Sequence, residues 1–561
     1  MNDSVQPLAP GVSTNGDACT VPIRFWRAGR IHEISNPSPN QTLLEYLRSS
    51  EGLNACGTKE GCAEGDCGAC TVVIAEIVDE SSSLRFRAVN SCIRFTHQVD
   101  GYALWTVEDL SGLTTASTGA SPSVVNSQPQ TQLHPVQQAM LEAHGSQCGF
   151  CTPGFVMSMF ALYQTSQGRQ VDRQAAIAAL SGNLCRCTGY RPILDAAQAM
   201  MYLPRVEQPE AAIKAALLNL TQRRDSERAV ELATTHSNSS GATVNVPAQK
   251  IFRPISLESL LELRKEHPKA QLIAGATDIG LWVTKQGQRF EQVIDVSSAR
   301  DLQDIRSEAG HLVIGAAVRL ADAYQAIVAS RPQVAGFSHR FAGLPVRQSG
   351  TLGGNIANGS PIGDSMPLLI SLGVKIRLAS QARGLRELAL EDFYLAYRRT
   401  QLGLDEVLSH ILVPLPPQAE RSRIYKVSKR FEDDISAVCL GINIHLNALG
   451  DIIESVRIGV GGMAAIPTRA YKTEAMLLGR QFSEQTFVAA RDGISIEFTP
   501  LDDMRASALY RRQVAGNLML RFWQALQEPN QINSLESFDV QPIVFHPRVV
   551  PLHGAGPRGP A

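Results

Sequence analysis

No apolar run in the 561 residues approaches the roughly 20 needed to span a bilayer, and residues 1–20 lack a basic stretch followed by an apolar core. A membrane span and a secretory leader are therefore not expected, and the chain reads as cytoplasmic with a loose N-terminal arm. Neither sign of charge dominates: 52 Lys and Arg face 53 Asp and Glu, a formal net charge of −1. That balance leaves no electrostatic footprint for nucleic acid or an anionic membrane. The 11 cysteines are not spread as in a disulfide framework. They cluster, which argues for metal in a reducing compartment.

What is present begins with length, enough for three or four domains. Residues Val21–Trp26 and Ile31–Ile34 read as a hairpin, and Thr42-Leu43-Leu44-Glu45 as a capping box opening a short helix. The loop Gly61-Cys62-Ala63-Glu64-Gly65-Asp66-Cys67-Gly68-Ala69-Cys70 follows, then strands at Thr71–Val78 and Leu84–Asn90, and Cys92. The spacing C-x4-C-x2-C…C is that of plant-type [2Fe–2S] proteins, and this order of elements is a β-grasp layout. A structural zinc site also takes four cysteines, but usually in two short knuckles. Cys56 precedes this loop and does not give the spacing. With Cys19 and Cys439 it reads as a free thiol.

Residues 111–130 are rich in Ser, Thr, Gly and Pro and read as a connecting loop. His134–His144 suits a helix. Cys148 and Cys151 then precede a helix at Phe155–Gln164, with Thr152 as its N-cap and Pro153 at the first helical position. Ala175–Leu180 is a third helix, and Cys185 and Cys187 lead into a fourth. The second quartet is C-x2-C…C-x-C, carried on helix ends, where the dipole favours an anionic cluster. Its paired spacing leaves zinc open on local grounds.

GCAEGDCGAC, QCGFCTPGF and NLCRCTGYRP, in this order, resemble the iron–sulfur half of the molybdenum hydroxylases. The resemblance implies a plant-type [2Fe–2S] cluster on Cys62, Cys67, Cys70 and Cys92. It implies a second [2Fe–2S] cluster on Cys148, Cys151, Cys185 and Cys187, in a four-helix domain nearest the molybdopterin. By the same match Gln147 resembles a glutamine that touches the pterin, and Glu64 a residue lying close to the flavin.

The second half begins after a polar linker, residues 206–249, with a short helix at Ala211–Leu218. A helical pattern at Leu257–Arg264 precedes the strand and turn Gln271-Leu272-Ile273-Ala274-Gly275-Ala276-Thr277-Asp278. Later come Phe341-Ala342-Gly343, Ser349-Gly350-Thr351-Leu352-Gly353-Gly354-Asn355 and Ser360-Pro361-Ile362-Gly363-Asp364. Glycines in such turns let backbone N–H groups point at a pyrophosphate. Neither turn is the G-x-G-x-x-G of a dinucleotide Rossmann unit. The pair instead resembles the FAD domain of the same hydroxylases, a vanillyl-alcohol-oxidase-type α+β fold. The implied FAD contacts are Leu272, Ile273, Ala274, Gly275, Ala276, Thr277, Asp278 and Ile279 on the first turn. Phe341, then Thr351, Leu352, Gly353, Gly354 and Asn355 on the second, and Asp364, complete them. Where Ala276 stands, animal relatives carry a larger polar residue, which reduces that contact to backbone.

The block from Tyr425 to Ser436 opens what resembles the family's C-terminal α+β flavoprotein domain, with Ile435 a flavin-ring contact. Strands at Val438–Leu446 and Ile452–Val460 and a helix from Tyr510 toward Leu526 follow. The expected organisation is thus multidomain α+β: a β-grasp ferredoxin domain (21–107), a helical cluster domain (131–205), the linker, an FAD domain (250–418), the C-terminal domain (420–528) and an extended tail (529–561).

Nothing in the sequence suggests where a substrate is oxidised. The resemblance supplies it as a molybdopterin-binding large subunit, in a heterotetramer of two small and two large chains. It implies a xanthine dehydrogenase activity, hypoxanthine and xanthine going to urate. Electrons would pass through the helical-domain cluster, the ferredoxin cluster and FAD to NAD. A related hydroxylase acting on aldehydes or N-heterocycles, and a stand-alone redox carrier or sensor, are the alternatives.

Overall fold

The computed structural model of the chain describes residues 22–35, 37–77, 84–110, 133–226, 232–234, 249–431 and 433–527. The N-terminal arm, Cys19, the 111–130 loop and the C-terminal tail lie outside them.

The chain opens with a five-stranded mixed sheet. Its order across the sheet is Arg30–Ile34, Ile23–Arg27, Ala103–Trp105, Thr71–Ile77 and Leu84–Asn90. Thr71–Ile77 is apolar on both faces because both are covered. Val72 and Ile74 pack with Leu43 and Leu47 of the helix Leu43–Arg48, while Val73 and Ala75 face a core shared with the next domain. The expected capping box holds: the Thr42 hydroxyl takes the Glu45 amide at 3.2 Å and the Glu45 carboxylate takes the Thr42 amide at 2.8 Å.

Four helices, Pro135–Glu142, Thr152–Ser166, Arg173–Ala179 and Arg191–Ala199, form the second unit. Phe155, Met159, Phe160 and Ile193 bury against Trp105 and Phe86 of the first sheet, so the two units share one core. Thr152 is not the N-cap of its helix. Cys151 holds that position without a side-chain bond, and the Thr152 hydroxyl instead donates to Ser146 Oγ at 2.7 Å. The stretch expected to be a linker carries a 17-residue helix, Glu210–Ser226. Its Ile213, Leu217 and Leu220 enter the shared core at helical spacing.

Beyond it a four-stranded sheet carries Gln271–Ile273 and Gln292–Asp295 as a parallel pair. A five-stranded antiparallel sheet follows, with Val407–Pro414 at its centre. The last unit is a four-stranded sheet built around Val438–Leu446 and Ile453–Gly461, backed by helices Tyr471–Leu477, Glu484–Glu497 and Ala508–Gln527. Among the described residues no helix is long and apolar enough to cross a membrane.

Candidate functional site

The cysteine loop sits between helix Leu43–Arg48 and strand Thr71–Ile77, and its fourth partner, Cys92, lies just past strand Leu84–Asn90. Because those strands are antiparallel neighbours pairing Thr71 with Asn90, Cys70 and Cys92 come together at one end of the ladder. Thiol contacts run from Cys67 to Cys62, to Cys92, to Cys70. Backbone amides also reach the sulfurs: Cys62 N–H to Cys67 Sγ at 3.3 Å, Cys67 N–H to Cys62 Sγ at 3.3 Å, and Glu64 N–H to Cys62 Sγ at 3.4 Å. Hydrogen bonds from neighbouring thiols, Cys67 first for Cys62 and Cys92 first for Cys70, lower these two thiols, and the same bonds, Cys62 first, raise Cys67 and Cys92. Cys56 stands outside the set, exposed, with its thiol toward the Arg48 carbonyl and Asn54 Oδ1.

In the helical unit Cys151 contacts Cys185 and Cys148 contacts Cys187. Thr188, which sequence reasoning passed over, sits with its hydroxyl 3.2 Å from Cys185 Sγ and its amide 3.5 Å from the same sulfur. Cys148, Cys187 and Gln147 are exposed, and the Phe150 and Tyr190 rings beside them are 49% and 37% exposed. Among the described residues no three or more His, Cys, Asp or Glu side chains form a single-ion cage. Four thiols strung in contact in the ferredoxin loop, and two thiol pairs in the helical unit, each set with an amide aimed at sulfur, instead suit two-iron clusters ligated by four cysteines. A zinc site would close all four on one ion.

The two quartets abut. Leu184 N–H donates to the Cys67 carbonyl at 3.0 Å, and Asn183 Nδ2 to the Gly68 carbonyl at 3.1 Å. Gly154 follows Cys151 on its helix, and a β-carbon there would lie 2.1 Å from the Gly68 oxygen.

The ferredoxin loop also touches the helix Ile279–Thr284, which follows the turn after strand Gln271–Ile273. Leu281 packs on Leu44, Cys70, Cys92 and Ile93, and Thr284 Oγ1 donates to the Ala63 carbonyl at 2.8 Å. Glu64 faces Lys285 at 3.7 Å, an exposed pair of little energetic weight at the C-terminal end of that helix, the end away from the turn.

The turn itself has the form of an anion cradle. The amides of Gly275, Ala276, Thr277 and Asp278 donate to no acceptor among the described residues, and Ala276 has φ of 60°. Alternation into the left-handed region is what makes successive N–H groups converge. Burial pushes the Asp278 carboxyl up, against the pull of Arg398.

The second turn is different from expectation. Its amides are already used: Leu352 N–H on the Val318 carbonyl, Gly353 N–H on the Ala316 carbonyl, Gly354 N–H on Thr351 Oγ1 and Asn355 N–H on the Thr351 carbonyl. Its role is to seat the first turn, since a β-carbon on Gly275 would lie 2.1 Å from the Ser349 oxygen. What it offers a ligand is side chains. Asn355 Oδ1, Ser349 Oγ and Asp364 Oδ1 are buried without a hydrogen-bond partner among the described residues, while Asp364 Oδ2 accepts from Lys426 Nζ at 2.7 Å. Open amides and orphaned polar atoms around facing turns fit a dinucleotide such as FAD. Phe341 is buried, its ring 5.4 Å from Tyr324 in an aromatic cluster with Phe337. Ile435 is 43% exposed, its amide on Asp434 Oδ1. Cys439 is buried, its thiol toward the Asp364 carbonyl.

Four family models match the chain in order. They are a 2Fe-2S iron-sulfur cluster binding domain at residues 27–94, a [2Fe-2S] binding domain at 124–198, an FAD binding domain in molybdopterin dehydrogenase at 245–416, and a CO dehydrogenase flavoprotein C-terminal domain at 423–526. Xanthine dehydrogenase of Drosophila subobscura is 30% identical over 545 residues, covering 90% of this chain and 39% of that one. Xanthine dehydrogenase 1 of Arabidopsis thaliana is 28% identical over 560 residues, 89% of this chain and 39% of its own. Xanthine dehydrogenase/oxidase of Mus musculus is 30% identical over 536 residues, with 89% and 38% covered. A chain of the carbon monoxide dehydrogenase from Hydrogenophaga pseudoflava matches 49% of this chain and 96% of its own, at 27% identity and a TM-score of 0.46. The chain belongs to the molybdenum hydroxylase family and carries that family's iron–sulfur and flavin domains. It spans about two fifths of the length of the curated relatives it matches, 39% of the Drosophila subobscura enzyme.

Proposed function

We propose that this chain is the electron-transfer part of a xanthine dehydrogenase, working with a molybdopterin-binding partner in a heterotetramer of two small and two large chains. The reaction is oxidation of hypoxanthine and xanthine to urate with NAD as acceptor. When bound, the two [2Fe–2S] clusters supply one-electron carriers and FAD supplies conversion to two-electron chemistry.

The residues have distinct tasks. Cys148, Cys151, Cys185 and Cys187 hold the outer cluster on the exposed face, where Gln147, Phe150 and Tyr190 meet the partner. Cys62, Cys67, Cys70 and Cys92 hold the inner one. The open amides of Gly275 to Asp278 bind the FAD pyrophosphate, and Asn355 and Asp364 receive its hydroxyls. The observation that carries this reading is the continuity of the three sites: the Leu184 to Cys67 hydrogen bond at one end and the Thr284 to Ala63 bond at the other.

The test is purification from the native host with any co-purifying chain, followed by metal and flavin analysis and assay with hypoxanthine and with an aldehyde. About four irons and one flavin per chain are expected for two [2Fe–2S] clusters and FAD, with NAD reduction on hypoxanthine. Zinc in place of iron, or iron without flavin, contradicts the relay. Turnover of the aldehyde alone contradicts the substrate.

A further inference from the structure

Both flavin turns are fastened from outside their own domain. At the first, Gln98 of the ferredoxin domain is 4% exposed, and its Nε2 donates to the Ala274 carbonyl at 2.6 Å. Its Oε1 accepts from the Phe95 amide at 3.3 Å, which fixes which end of the amide faces the turn. Phe95 packs with Ile273 and Ala276, and His97 Nδ1 lies 3.1 Å from Asp295 Oδ2, on the strand paired with Ile273. At the second turn, Arg319 pairs through its backbone with Thr351. Its guanidinium crosses to the ferredoxin domain, gripping both carboxylate oxygens of Glu76 and the Tyr102 hydroxyl at 2.8 Å.

The Gln98 contact bears directly on the cradle. The Ala274 carbonyl and the Gly275 N–H belong to one planar trans peptide, so they point in opposite directions and turn together. Holding the carbonyl therefore aims the first of the four open amides. Farther along the turn the Ala276 and Asp278 carbonyls are held by the helix that follows, through the Gly280, Leu281 and Trp282 amides, whereas among the described residues the Ala274 carbonyl is held by Gln98 alone.

We propose that Gln98 is a positioning residue of the flavin site: by clamping the Ala274–Gly275 peptide from the ferredoxin domain, it sets the affinity of the cradle for the pyrophosphate of FAD. This rests on the flavin reading under Proposed function. It makes the iron–sulfur domain a structural part of the FAD site as well as its electron donor, and a flavin domain separated from it would hold FAD loosely.

The test compares the full-length protein with Gln98→Glu and Gln98→Leu, measuring FAD dissociation by flavin fluorescence after reversible deflavination, iron content, the EPR of both clusters and Tm. Both variants should weaken FAD roughly tenfold at pH 8, the scale of one lost hydrogen bond, with iron and the EPR of both clusters unchanged and Tm lowered by only a few degrees. Gln98→Glu should regain affinity as the pH is lowered and its carboxyl protonates, because the neutral acid can again donate to Ala274. Gln98→Leu should not. Wild-type affinity in both variants, or a joint loss of FAD, iron and Tm in both with no recovery on acidification, overturns the proposal alone. A wild-type chain that binds no FAD overturns the flavin reading and this inference with it.

Discussion

The Leu184 amide donates to the Cys67 carbonyl at 3.0 Å, so the residue before one cysteine pair is hydrogen-bonded to a cysteine of the other quartet. Asn183 strengthens the seam: it is 3% exposed, its Nδ2 reaches the Gly68 carbonyl at 3.1 Å, and its Oδ1 accepts from Ser158 at 2.6 Å. Both cluster units also share one hydrophobic core. The spacing between their metal sites is therefore set by packed backbone rather than by a tether.

Gly154→Ala tests that seam. The added β-carbon would fall 2.1 Å from the Gly68 oxygen, with backbone on both sides and no flexible side chain to yield. Separation of the two loops is expected, at a cost of about 1–3 kcal/mol as for other overpacked interiors. Thermal unfolding should move down, and iron should be lost from the loop holding Gly68 faster than in the wild type.

His134 gives a pH dependence of known sign. It is fully buried at the N-terminus of helix Pro135–Glu142, its Nδ1 accepts from Val136 N–H at 3.2 Å, and burial lowers its pKa from 6.5 to about 4. The folded chain thus favours the neutral ring. Its contribution is fully present above pH 6.5 and is lost as the pH falls toward about 4, a span worth roughly 3 kcal/mol. Urea unfolding at pH 7 and pH 5 should show the helical unit weakened at the lower value. His134→Asn keeps a capping acceptor and should flatten that dependence.

Ala276 carries strain that glycine would relieve. Its φ of 60° lies in the left-handed region, where a β-carbon costs roughly 1–2 kcal/mol. Ala276→Gly should leave stability unchanged or raise it modestly in thermal unfolding. Ala276→Val should lower it, and should weaken FAD because the residue sits inside the cradle.

Legibility in the sequence followed the range of the interactions. The cysteine spacings pointed to thiols that do meet, and the Thr42 capping box is local and reads directly. Thr152 misled because its hydroxyl is taken by Ser146. The helix Glu210–Ser226 was underread because Ile213, Leu217 and Leu220 become a core stripe only when a neighbouring core exists, and its C-terminal turns are polar. The strand Ala103–Trp105 is three residues long, too short to show a period. The second glycine turn looked like an anion site, yet its amides are spent on Ala316, Val318 and Thr351, and the partners at 316 and 318 lie more than thirty residues away. Gln98 and Arg319 act across domain boundaries and leave no local mark.

The central claim is a relay in which each quartet holds its own cluster and the inner one feeds the flavin. Its most direct measurement is low-temperature EPR of the reduced Cys67→Ser protein beside the wild type. The wild type should give two iron–sulfur signals. Cys67→Ser should lose one, keep the helical-unit signal and its FAD, and no longer pass electrons to the flavin when reduced from the partner side. Survival of both signals, loss of both together, or undiminished flavin reduction would contradict the account.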